Sequence, residues 1–266
     1  MTYQPIVPMG GAAGWAFLQR TQAAQQKAFD ASPQIQRDTQ YFESNIGEVK
    51  TSSDLVGDRR LLRVALGAYG LDDDLNSTYF INKVLDDGTL DPADLANKLS
   101  DKRYLEFAKD FGFGDYNIPR TQMSDFAADI TAAYRTKQFE IAVGQQDPTM
   151  RLAMTLDNQL SDIVRGSGSD DTKWYKIMGN PPLREVFQTA FGLPTAFGSI
   201  DIDQQLSMLR DKADRYFGDT SVDQFTDQGK RDELNRLFLV RSQIAAGTAS
   251  MSSGSIALNL LQQIQY

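Results

Sequence analysis

The chain has 266 residues, with 27 Lys and Arg against 35 Asp and Glu, a net charge of −8, and neither Cys nor His. Those two absences exclude disulfides, thiolate nucleophiles, Cys- or His-ligated metal sites, imidazole bases, and with them Ser-His-Asp and Cys-His catalysis. The acidic balance argues against a dominant phosphate-binding surface, so nucleic acid is not an expected partner.

Hydrophobic residues make up 41% of the chain, enough for one large core or two smaller ones. No window holds 18 consecutive apolar residues, and the start Met1-Thr2-Tyr3-Gln4-Pro5 lacks the basic and apolar regions of a secretory signal. No transmembrane segment is expected. The protein is expected in the cytoplasm, or outside it by a route without a cleaved signal.

In chain order, the Pro- and Gly-rich stretch to Gly14 predicts a loosely packed arm. From Trp15, Phe17 and Leu18 a Gln- and Ala-rich run through Phe29 predicts a helix that ends near Ser32-Pro33. Pro33 suits the first turn of the next helix with Ser32 as its cap, and Ile35, Tyr41, Phe42 and Ile46 are its apolar positions. Residues 58–71 predict a short buried helix with Leu62, Ala65, Leu66 and Tyr69 on one face and Gly70 as a left-handed cap. Asp91-Pro92-Ala93-Asp94 predicts a helix start leading to Leu95 and Leu99. Residues 101–113 repeat the short-helix device with Tyr104, Phe107, Ala108 and Phe111 as the stripe and Gly112 as the stop. Ser124 or Asp125 opens a long helix carrying Phe126, Ile130, Tyr134 and Ile141.

In the second half, Pro181 to Leu193 mirrors residues 58–71, with Leu183, Val186, Phe187, Ala190 and Phe191 as the stripe and Gly192 as the cap. Upstream, Asp147-Pro148 resembles Ser32-Pro33, and the extra length of the second half falls in the turn-rich 166–171. These matches predict an internal duplication: an arm over 1–24, a first helical repeat over 25–138, and a second over 139–266 that includes a C-terminal helix. Thr226 or Asp227 precedes a helix with Leu234, Leu237, Phe238 and Ile244, and Ile256 to Ile264 is helix-competent. Residues 198–203 alternate but are too short to carry a sheet. The expected fold is all-α and multi-helical, with the duplicated units around a shared core.

The chemistry-bearing clusters are weak. Asp72-Asp73-Asp74 and Asp86-Asp87-Gly88 lack calcium-loop spacing and read as helix caps and turn formers. Gly166-Ser167-Gly168-Ser169 lacks the strand, helix and Lys of a phosphate loop and reads as a linker. Asp58-Arg59-Arg60 and Asp101-Lys102-Arg103 suit either an anion or acidic partner, or a solvated face. Trp174, Tyr175, Met178 and Phe187 suit either a pocket or the core. The terminal helices, with Trp15, Phe17 and Leu18 at one end, either dock on the core or serve in assembly. Catalytic, metal-binding and cofactor-binding residues are therefore expected to be none.

Residues 14–21, 32–42, 60–71 and 139–154 together resemble a bacterial family, the domain of unknown function 1217 family. Its members are often associated with flagellar genes, and some carry the label of flagellar basal-body rod proteins. The resemblance spans nearly the whole chain and brings no catalytic residue with it. It implies a non-enzymatic structural or interaction protein of the flagellum, component or assembly factor, located in the cytoplasm or the flagellum. Its partners would be flagellar proteins or further copies of itself, met through Trp15, Phe17, Leu18, Arg59 and Arg60. The alternative from the residues alone is a small-molecule or ion-binding regulatory module. Its pocket would lie between the repeats, with Arg59, Arg60, Trp174 and Tyr175 at the mouth.

Overall fold

Proline opens helices in this chain and glycine closes them. Pro33, Pro148 and Pro181 stand in the first turns of their helices, where the missing N–H has no intrahelical partner to lose. Gly70, Gly112 and Gly192 follow helix ends with φ of 68°, 67° and 61°, the left-handed region that a Cβ disfavours. A computed structural model describes residues 3–250, and among them are thirteen α-helices and no strand. They are α1 (Gly11–Asp30), α2 (Pro33–Asn45), α3 (Ser52–Gly57), α4 (Arg59–Ala68), α5 (Thr78–Asp87), α6 (Leu95–Lys98), α7 (Arg103–Phe111), α8 (Phe126–Gly144), α9 (Pro148–Arg165), α10 (Asp170–Met178), α11 (Pro181–Phe191), α12 (Ile202–Phe217) and α13 (Gln228–Ser250). The fold is all-α. The helix expected over Ile256–Ile264 lies outside the described residues, and among the described ones no helix is long and apolar enough to cross a membrane.

One arrangement occurs twice. α4 packs on α8 as α11 packs on α13, α2 meets α4 and α8 as α9 meets α11 and α13, and α3 meets α4 and α5 as α10 meets α11 and α12. The caps agree bond for bond. Leu71 N–H donates to the Leu66 carbonyl at 3.0 Å and Gly70 N–H to that of Gly67 at 3.3 Å; Leu193 donates to Gln188 at 2.9 Å and Gly192 to Thr189 at 3.1 Å. Both are Schellman closures whose following leucine is buried. Each arrangement also has a phenylalanine hub. Phe111 has Phe107 at 4.9 Å, Phe126 at 5.0 Å and Phe113 at 5.8 Å; Phe187 has Phe191 at 5.4 Å, Trp174 at 5.7 Å and Phe225 at 5.8 Å. Most of these contacts are edge-to-face, the arrangement the ring quadrupole favours.

Because a side chain at φ near +60° costs about 1–2 kcal/mol, Gly70→Val and Gly192→Val should each lower the melting temperature. The second substitution should cost more, about 2 kcal/mol. A Cβ at Gly70 would meet only Arg103 at 3.5 Å and Lys137 at 3.9 Å, whereas one at Gly192 would overlap the guanidinium of Arg241, which is held by the Tyr216 hydroxyl at 2.7 Å. Unchanged melting of Gly192→Val would rule out this account of the cap.

Several boundaries differ from expectation. The helix expected from Trp15 begins at Gly11, and α1 is an integral layer against α8, α9 and α13 with Trp15, Leu18 and Phe29 in the core. The segment before it, read from sequence as a loose arm, is bonded along its backbone. Ile6 N–H donates to Gln25 at 2.6 Å, Gln25 returns a bond to the Ile6 carbonyl at 3.2 Å, and Gln146 donates to the Pro5 carbonyl at 2.5 Å. Those partners are remote in sequence, so periodicity carries no sign of them. Ser32 stands at the cap of α2, but its hydroxyl accepts the Tyr3 N–H at 3.2 Å instead of capping. The helix expected from Asp91 is delayed: Asp91 holds a turn through the Ala93 N–H, and only the short α6 follows Asp94. The division at residues 138 and 139 falls inside the continuous α8, and the link between the two arrangements is 145–147.

Candidate functional site: the seam between the two halves

α8 and α9 form an αα-hairpin across 145–147. Asp147 caps α9 through the N–H groups of Thr149 at 2.8 Å and Met150 at 3.2 Å. Midway along the hairpin lies Glu140, its side chain only 2% exposed. Its carboxylate accepts from Lys137 Nζ at 2.9 Å, Asn158 Nδ2 at 2.7 Å and Thr155 Oγ1 at 3.1 Å. One charge thus ties α8 to α9 with every strong acceptor satisfied.

Lys137 and Asn158 also wall a cleft of about 330 Å³, together with Tyr69, Arg103, Asp162 and Asn180. Three of its polar groups are already bonded within the fold, while burial pushes the Glu106 carboxyl up. Arg103 pairs with Asp101 at 2.6 Å and donates to the Gly70 carbonyl at 2.5 Å, Tyr69 donates to Asp110 at 2.8 Å, and Asn180 donates to Gln159 at 2.8 Å. This cleft is a structural seam.

A second cavity, of about 500 Å³, opens where residues 98–102 dock against α10, α11 and the start of α12. The docking is fixed by the Lys102 N–H on the Gly179 carbonyl at 2.7 Å. Lys98, Lys102 and Arg184 line it with Leu99, Tyr175 and Ile202. Among the described residues, no carboxylate lines it.

A third feature is a pair of loops, 88–94 and 112–125, crossing backbone on backbone at Gly88 and Gly114. Gly114 N–H donates to the Leu85 carbonyl at 3.2 Å, and Asp115 takes both the N–H (2.6 Å) and the hydroxyl (2.7 Å) of Thr89. Locked in this way, the loops hold Leu90 71%, Ile118 71% and Tyr116 53% exposed. Asp91 and Asp94 belong to the first of these loops, and Asp86 lies at the end of α5 just before it.

The residues singled out in the sequence fall as follows. Trp15 and Leu18 are buried and Phe17 is half-buried, so the first two serve the interior and not a partner surface. Arg59 and Arg60 are exposed; Arg59 donates to Asn76 at 2.8 Å, and Arg60 lies 3.6 Å over the Tyr41 ring. Neither reaches a cleft between the halves. Trp174 does not either, being fully buried with its indole N–H on the Thr220 carbonyl at 3.0 Å. Tyr175 is the one residue of the expected mouth that lines a cavity. Asp72 and Asp74 accept from Gln138 and Tyr104, Asp86 from Ser52, and Asp87 pairs with Lys83. Among the described residues no group of three His, Cys, Asp or Glu is placed to hold a metal ion. Ser169, in the supposed linker, caps α10 through the Thr172 N–H. Lys98, Arg184 and Glu140 escape sequence reasoning altogether, since their neighbours are brought together only by the fold, whereas Lys102 belongs to one of the two basic pairs that the sequence marks.

A crystal structure of an Agrobacterium tumefaciens protein is similar in fold, with a TM-score of 0.73 at 23% identity over 91% of this chain and 99% of that one. No curated protein matches. The profile of a family described as a protein of unknown function (DUF1217) matches residues 68–230. That stretch takes in the Gly70, Gly112 and Gly192 caps, both phenylalanine hubs and the α8–α9 seam, and on it the chain belongs to the DUF1217 family.

Proposed function

We propose that this protein is a non-enzymatic structural or protein-interaction protein associated with the bacterial flagellum, as a component or an assembly factor. The flagellar association rests on the sequence resemblance, and the location that follows is cytoplasmic or flagellar. The observation that carries the interaction role is the locked loop pair. Two glycines and the Thr89–Asp115 bonds fix a backbone crossing whose result is that large apolar side chains point into solvent, an arrangement suited to contact and not to folding. The partner surface is apolar with basic flanks, matching the acidic rim of Asp86, Asp91 and Asp94. The repeated packing supports reading the chain as an internal duplication, with the units meeting at 145–147.

The test is co-purification of the full chain with isolated flagellar basal bodies, alongside motility of a deletion strain. Retention by basal bodies that is lost in Leu90→Asp/Ile118→Asp, with impaired swimming of the deletion strain, is the expected result. Absence from basal bodies with normal swimming overturns the reading. Self-association through the same loops would appear as a larger species by sizing, and the same double substitution would abolish it. A second reading, a ligand-binding module with its pocket between the halves, is favoured by the cavity at Lys102.

A further inference from the structure

One cavity of the fold is lined by three cations and, among the described residues, by no carboxylate. Lys98, Lys102 and Arg184 line the cavity of about 500 Å³ between residues 98–102 and α10–α12. None of them takes part in an ion pair among the described residues. Two acids adjacent to lining residues in sequence, Asp101 and Asp203, are bonded elsewhere. Asp101 is held by four bonds from the Arg103 side chain and backbone, and Asp203 accepts the Tyr175 hydroxyl at 3.4 Å.

The cations are also placed with care. The stem of Lys102 lies against Gly179, where a Cβ would sit 2.5 Å from its Cγ and 3.1 Å from its Cβ. Its ammonium makes one bond, to the Asn97 carbonyl at 2.8 Å, and burial alone pushes its pKa down. The guanidinium of Arg184 passes over Gly198, with Nε 3.5 Å from where a Cβ would stand, and gives one N–H to the Met178 carbonyl at 3.1 Å. Both groups keep donors in reserve, and a desolvated, unpaired cation is costly. Leu99, Met178 and Ile202 supply the apolar wall, and Ile202 remains half exposed at its edge.

We propose that this cavity binds an organic anion, with a carboxylate or phosphate held by Lys98, Lys102 and Arg184 and an apolar body lying on Leu99, Met178 and Ile202. The fork of Arg184 suits two oxygens of one anionic group, and the volume lies within the range of small-ligand sites. The inference rests on the second reading above, whose pocket it supplies with a ligand class, and not on the interaction role.

Titration calorimetry on the full chain with octanoate, octyl phosphate, inorganic phosphate and octylammonium tests it. At least one of the two octyl anions binds saturably, inorganic phosphate binds at least about tenfold more weakly, and octylammonium does not bind. Lys98→Gln/Arg184→Gln weakens the octyl anion at least about tenfold, while Lys50→Gln/Lys109→Gln, on exposed sites elsewhere, leaves it unchanged. Absence of saturable binding by both octyl anions, or equal affinity in Lys98→Gln/Arg184→Gln, overturns the proposal. Lys102→Met gives an independent readout without ligand. Removing an uncompensated ammonium raises the melting temperature of the free chain by about 2–4 °C and abolishes the further rise that the octyl anion causes in the native chain. A fall in the melting temperature of free Lys102→Met would show the ammonium already compensated and would also overturn the site.

Discussion

Glu140→Ala lowers the stability of the chain by about 3–5 kcal/mol, the cost of breaking a buried ion pair by removing one partner. The carboxylate is the common acceptor for Lys137, Thr155 and Asn158, so its loss strands three donors in the α8–α9 hairpin at once. Lys137 is only 15% exposed and cannot swing wholly into water. Glu140→Gln keeps the volume and one acceptor oxygen, so it loses less. Glu140→Met/Lys137→Met, which removes both charges together, also loses less than Glu140→Ala, because no buried charge is then left alone. Urea unfolding of the three variants gives the order directly. A cost for Glu140→Ala within about 0.5 kcal/mol of the native chain, the range of an ordinary surface substitution, would show that the hairpin is held by apolar packing alone.

The same residue shows where sequence reading stops. The caps at Gly70 and Gly192 were legible because their chemistry is local: a helical stripe, a glycine and a leucine lie within a few residues of one another, and the doubled pattern was visible at both places. The all-α class was legible for the same reason, from helical spacing and the near absence of alternation. Glu140 sits among the apolar and polar residues of α8 with nothing to mark it, and its partners Thr155 and Asn158 belong to the next helix. Arg184 meets Lys98 and Lys102 only because residues 98–102 dock on Gly179. Arg59 and Arg60 form the more conspicuous basic pair, yet they stay on the outer face of α4, one with Asn76 and the other over Tyr41. Trp174 looked like pocket material but completes the Phe187 hub. The order of the first segment is not legible in the sequence because it comes from the amides of Gln25 and Gln146, side chains that a hydrophobic pattern does not register.

Gly114→Ala is expected to cost about 3 kcal/mol, at the upper end of what overpacking ordinarily costs, although the residue is exposed and its substitution adds one methyl group. The new Cβ would strike the backbone N of Gly88, with the Asp86 carbonyl at 2.5 Å and the Gly88 Cα at 2.7 Å. These are main-chain atoms that no rotamer change can move. Gly88 cannot yield easily, because its φ of 82° and ψ of −157° belong to a region open essentially to glycine. The crossing must therefore open, and with it go the Gly114–Leu85 bond and the pair of bonds from Thr89 to Asp115. Hydrogen exchange at the amides of Thr89 and Gly114 should quicken, while the Phe187 hub in the other half stays protected. Gly47→Ala is the control: a Cβ there meets nothing within 4 Å, so its melting should stay level or rise slightly. The consequence for function is specific. Leu90, Tyr116 and Ile118 are all still present in Gly114→Ala but sit on loops whose crossing has opened, so retention by basal bodies should fall as it does in Leu90→Asp/Ile118→Asp. Full retention with opened loops would mean that the partner reads these side chains without their fixed arrangement, and the interaction surface would then have to be sought elsewhere on the molecule.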